Sequence, residues 1–254
     1  MAAVAKAPVG KAPETAPEAA PVAEHEHQDL EPVYVWDRLV RASHWGVALT
    51  LVLLAATGIY LGRPFLAAPG PAHEHFLTGW AKVIHFYAAI GFTLCVLARI
   101  VWLVIGPRRS SWRNFVPVSK KRRRDLIGTL KFYLLVRPTP PATIGHNPLA
   151  GLSYVAVFGM YLLIIATGLA LYSVSSYSYM RMWQFLLPVF QGVQGARWLH
   201  HVTMWGLLMF FVAHLFFASL TSRNEKNGTM DSIISGYKYL PRGMPADDDD
   251  SSVS

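Results

Sequence analysis

Cysteine is nearly absent from this chain of 254 residues, which has one, Cys95. One thiol cannot close an internal disulfide, supply the thiolates of an iron–sulfur cluster, or tether a prosthetic group through a CxxCH motif. Cys95 lies in an apolar run and reads as a small, inert residue. Charge is also scarce, at 15% of residues, and unevenly placed. Residues 40–62, 79–105, 149–171 and 196–220 contain no Asp or Glu. That absence argues against a histidine-based metal transporter, which would place carboxylates inside such stretches.

The same four stretches are strongly apolar. A helix of about 20 mostly apolar residues crosses a hydrocarbon core ~30 Å thick, and each stretch is long enough. Hydrophobic residues make up 53% of the sequence, and no apolar run outside the four could build a second core. The expected fold class is an all-α membrane protein: four transmembrane helices in a bundle, with short interfacial helices. Positive charge sets the orientation. Ten Lys/Arg lie from Arg108 to Arg137, between spans two and three, whereas the other two connections hold only Arg63 and Arg181. Both termini and the central connection are therefore expected in the cytoplasm. The net charge of +8 follows from this asymmetry and calls for no nucleic-acid partner. The run Lys120–Arg124 reads as a topology and lipid-headgroup signal.

The ends divide the chain. Residues 1–32 form an Ala/Pro-rich leader, expected to be disordered and unlike a secretory signal; His25 and His27 lie in it as a polar HEH. Residues 33–240 hold the bundle, and 241–254 are an acidic tail. Residues 125–136 are too short to span and suggest an amphipathic helix on the cytoplasmic surface. Residues 177–193 have an aromatic, mixed character suited to the opposite surface.

Histidines interrupt the spans in a pattern. His200 and His214 share span four and are fourteen residues apart, a spacing that returns to one helix face within ~40° and rises ~21 Å. His44 opens span one near the cytoplasm, and His85 opens span two near the outer surface. By depth, His44 pairs with His214 and His85 with His200. A lone membrane histidine is usually an interhelical hydrogen bond; four that match by depth point to ligands. Two neutral imidazoles facing each other across a helical bundle suit six-coordinate haem iron, and without CxxCH the haem is of b type. His201 lies ~100° round the helix from His200, off the shared face. It is read as a hydrogen-bonding or propionate-facing group, with ligation as the alternative where the helix end frays.

Small and basic residues extend the pattern. Gly58, fourteen residues after His44, lies in ATGIYL, and Gly168 repeats the motif in ATGLAL. Glycine there would let a macrocycle approach the backbone, or serve ordinary helix packing. Arg41, one turn before His44, and Arg99, deep in span two, are placed to pair with propionates of the inner haem; Arg197 could serve the outer one.

The blocks VYVWDRLVRASHWGVAL…TGIYLGRP, KVIHFYAAIGFTLCVLARIVW, IGHNPLAGLSY…ATGLALYS and WLHHVTMWGLLMFFVAHLFFASL…ISGYKYLP bring a family into view. Over residues 33–240 the chain resembles the b-type cytochrome subunit of membrane-bound nickel–iron hydrogenases and, more distantly, the cytochrome b subunit of respiratory formate dehydrogenase. The long leader and Ser43 before HW depart from the pattern. The resemblance implies two haem b groups held at positions matching His44, His85, His200 and His214. It implies partners too: hydrogenase small (iron–sulfur) and large subunits, at the outer face of a bacterial cytoplasmic (inner) membrane.

The expected function is transfer of electrons from such a partner, through the outer and then the inner haem, to quinone near the cytoplasmic face. His146 and Asn147, in the GHNP stretch before span three, are the candidate quinone contacts; the same stretch also reads as a helix-entry turn with Pro148 at the first helical position. Alternatives are a cytochrome b of a formate dehydrogenase-like complex and a stand-alone transmembrane haem reductase. Catalytic metals would belong to a partner subunit.

Overall fold

In hydrocarbon every backbone N–H and C=O must be satisfied within the segment itself, so long apolar runs fold as helices. The computed structural model describes residues 30–66, 76–107, 148–174, 178–225 and 228–242, with isolated positions between 110 and 136. Four of its helices are long and apolar enough to cross a membrane. They are α1 (Arg38–Gly62), α2 (Leu77–Ile105), α3 (Pro148–Tyr172) and α5 (Gly192–Glu225). Between α3 and α5 lie a 3-10 turn, Ser178–Trp183, and the short α4, Leu186–Val189, within the segment expected along the outer surface. The chain is a multi-pass helical membrane protein.

Local chemistry sets the helix ends. Arg63-Pro64 follows α1 and Gly106-Pro107 follows α2, and a proline disfavours the helical conformation in the residue before it. Proline opens α3, where its missing N–H costs nothing. Asp37 sits at the N-cap of α1, yet its carboxylate does not cap the helix. It accepts hydrogen bonds from Trp102 Nε1 at 3.1 Å and Ser110 Oγ at 2.9 Å, tying α1 to the far end of α2.

The helices pack as two hairpins, α1 along α2 and α3 along α5. In the first, Gly46 faces Cys95 so closely that a Cβ would stand 2.5 Å from Sγ. Cys95 is thus a packing residue. The hairpins meet around Leu51, Val157 and Leu207, with Tyr161, Ile164 and Phe210 packed alongside. Phe92 and Tyr161 add an edge-to-face contact between α2 and α3 at 5.2 Å. Large apolar side chains such as Val52, Val104, Met209 and Val212 point outward, an arrangement that suits lipid.

A two-stranded sheet joins the two ends of the bundle. β1 (Leu30–Tyr34) runs antiparallel to β2 (Tyr237–Pro241), in register from Leu30 opposite Pro241 to Tyr34 opposite Tyr237. It begins in the last three residues of the leader and reaches one residue past the expected end of the bundle. The short α6 (Thr229–Ser235) precedes β2 and ends at Gly236, whose φ of 93° is left-handed. A Cβ on Gly236 would lie 2.7 Å from Tyr34 Cε2, so the turn requires glycine. Trp36 Nε1 donates to Ser232 Oγ at 3.0 Å, and Arg41 donates to the Ile234 carbonyl.

Residues 1–29, including His25 and His27, lie outside the described residues, as do Lys120 to Arg123, most of the expected interfacial helix over 125–136, His146, Asn147, and the tail from 243.

Candidate functional site

α5 carries two histidines that face other spans at two depths. At its inner position, His214 lies across from His44 of α1, with ring centroids 6.2 Å apart and planes tilted by 57°. Two imidazoles that share one metal through bonds of about 2 Å have ring centres ~6 Å apart. His214 is steadied from one turn earlier by Phe210, stacked on it at 17° and 5.7 Å. His44 Nδ1 is buried without a hydrogen-bond partner among the described residues.

The outer position is built differently. His85 Nδ1 lies 2.8 Å from Thr57 Oγ1 of α1, and His200 Nδ1 lies 2.9 Å from Thr167 Oγ1 of α3. His85 and His200 are within electrostatic reach of each other. The glycine after each threonine leaves room for the ring. A Cβ on Gly58 would stand 3.3 Å from His85 Cε1, and one on Gly168 would stand 3.4 Å from His200 Cε1.

His201 occupies a separate place. Its Nδ1 donates to the Arg197 carbonyl at 2.8 Å, one turn back. Its Nε2 points at α1, where a Cβ on Gly62 would come within 2.9 Å. Arg197 itself donates to Gln194 Oε1 at 3.1 Å.

Arg41 and Arg99 lie toward the inner end. Arg41 uses one guanidinium nitrogen on Ile234, while its buried Nε has no partner among the described residues. A buried, unspent donor on a cation fits an anionic group such as a propionate. Arg99 makes a long contact with the Ser110 carbonyl at 3.4 Å and feels Asp37 and Tyr154 electrostatically.

These residues fit a haem. The inner rings stand at a metal-sharing separation, and glycines open the wall beside the outer rings. Among the described residues no three His, Cys, Asp or Glu converge. Sequence reasoning picked out the glycines of the two ATG motifs and missed the threonines beside them. The repeat itself was the available signal.

Comparison with known proteins identifies the family. A sequence model of the family described as prokaryotic cytochrome b561 matches residues 35–236. The chain is 30% identical over 216 residues to a protein of Cupriavidus necator named probable Ni/Fe-hydrogenase B-type cytochrome subunit, covering 83% of this chain and 88% of that one. It is 31% identical over 212 residues to the probable Ni/Fe-hydrogenase 1 B-type cytochrome subunit of Escherichia coli K12, covering 81% and 90%. A similarly named protein of Azotobacter vinelandii is 29% identical over 218 residues, covering 84% and 91%.

Proposed function

The chain belongs to the prokaryotic cytochrome b561 family, and from that premise we propose a dihaem b subunit that anchors a periplasm-facing nickel–iron hydrogenase and passes its electrons to quinone. One observation carries the reading: on a single helix His214 faces His44 of another span with ring centroids 6.2 Å apart, and His200, fourteen residues earlier, lies within electrostatic reach of His85. The two levels are ~21 Å apart along α5. That is too far for one electron step, and two centres divide it.

Haem b, when bound, supplies a one-electron couple at each level. The residues of the chain do the rest. His44 and His214 hold the inner group, and His85 and His200 the outer one. Gly58 and Gly168 leave space for the His85 and His200 rings. Arg41 and Arg99 offer positive charge to inner propionates, and the apolar helix walls exclude water from both levels. His201, whose Nε2 points at Gly62 of α1, serves the outer surface rather than the iron.

The relatives named as hydrogenase subunits support hydrogenase small and large subunits as partners. The sparse positive charge of the outer connections supports a periplasmic position for them at an inner membrane, with both termini cytoplasmic. Quinone is then reduced near the cytoplasmic ends of the spans, with His146 and Asn147 as candidate contacts.

Purification from native membranes tests the reading. The preparation should carry two b haems per chain, released by acid–acetone, together with an iron–sulfur subunit. A haem-free chain, or haem that stays covalently attached, overturns it.

A further inference from the structure

We infer that Thr57 and Thr167 are positioning residues that fix the tautomer and orientation of the two outer haem ligands, His85 and His200, and so tune the outer haem apart from the inner one. The inference rests on the dihaem reading and deepens it.

The observation is duplicated. A threonine hydroxyl from a neighbouring span lies 2.8 Å from His85 Nδ1 and another lies 2.9 Å from His200 Nδ1. Each hydroxyl also contacts a carbonyl of its own helix, Leu53 at 2.7 Å for Thr57 and Leu163 at 2.8 Å for Thr167. A carbonyl only accepts, so it takes the single hydroxyl proton. The threonine oxygen is then left as an acceptor and the imidazole Nδ1 as the donor, in keeping with the contacts His85 and His200 also make with the Leu54 and Ile164 carbonyls, which only accept. With its proton on Nδ1, each ring presents the Nε2 lone pair to a metal. The relay of ring N–H, hydroxyl and backbone carbonyl satisfies every member inside the membrane, where an unspent polar group is costly.

Among the described residues the inner level shows no such relay. His44 Nδ1 is without a partner among the described residues, and His214 is steadied by the stacked Phe210. Outer-shell hydrogen bonds to a ligating histidine raise its basicity and fix its ring. A more basic imidazole favours the oxidised iron. The threonines therefore hold the potential of the outer haem down.

The test uses the full chain in its complex, with redox titration and low-spin EPR resolving the two haems. Thr57→Val and Thr167→Val keep the branched shape and delete the hydroxyl; Thr57→Ser and Thr167→Ser keep the hydroxyl. Each Val variant should shift the outer oxidised-to-reduced ratio about tenfold toward reduction, ~59 mV for one electron. The inner haem should not move, and the Ser variants should behave as wild type. Loss of the outer haem in a Val variant with retention in its Ser counterpart supports the same conclusion. An unmoved outer haem in the Val variants, or an equal change in Val and Ser, overturns it. A wild-type complex lacking a second haem would instead overturn the dihaem reading itself.

Discussion

At the scale of single residues, space around the histidines is the deciding quantity. A methyl group on Gly58 would meet His85 Cε1 at 3.3 Å and Met204 Sδ at 3.6 Å, closer to the ring than ordinary van der Waals contact. Gly58→Ala should therefore tilt or displace the His85 ring and weaken the outer haem. Gly159 is the control, because a Cβ there meets nothing within 4 Å. Gly159→Ala should keep both haems and gain up to about 1 kcal/mol from helix propensity, read as a higher melting temperature in detergent. Equal spectra for the two variants would show that the Gly58 contact does not matter. The ligand assignment is tested at this scale as well. His44→Ala or His214→Ala should delete the inner haem, and His85→Ala or His200→Ala the outer one. His201→Ala should spare both. If the His44 and His85 variants lose the same spectral component, pairing by depth is wrong.

At the scale of elements, legibility followed how strongly the environment dictates structure. Residues 40–62, 79–105, 149–171 and 196–220 were readable because hydrocarbon leaves an apolar run no choice but helix; the observed spans differ by a few residues at their ends. The β1–β2 ribbon was not readable. Each strand has five residues, Pro32 and Pro241 interrupt the pattern, and the partners lie about 200 positions apart in the chain. Thr57 and Thr167 were missed for another reason: a threonine in a membrane helix can bond to its own backbone, as both do, and only tertiary structure shows what the oxygen accepts. The ribbon carries its own prediction. Gly236→Ala would put a side chain at φ 93° and 2.7 Å from Tyr34 Cε2, a strain of about 1–2 kcal/mol before the clash is counted. Cleavage within residues 30–36 by a soluble protease should become faster in that variant, with the outer haem unchanged. An unaltered cleavage rate would mean that the ribbon does not depend on this turn.

At the scale of the whole molecule, two helical hairpins meet in a small apolar core, and His44 stands opposite His214 between α1 and α5. In the proposed function the chemistry on the donor belongs to a partner subunit, and the part proposed for this chain is passage of electrons. His85 and His200 lie toward the end of the bundle whose connections are poor in positive charge, the side on which the proposed partner would dock. An outer-haem-free variant, His85→Ala or His200→Ala, separates passage from catalysis. Its partner should still turn over with a soluble acceptor that draws electrons directly from the iron–sulfur chain, at the wild-type rate. Quinone reduction by the same preparation should fall to background, because the outer level is where electrons enter. Both assays are run on washed membranes, where a complex that had come apart would lose the soluble-acceptor turnover as well. Quinone reduction that persists in a variant verified to lack the outer haem would overturn the conduit and route electrons around this subunit.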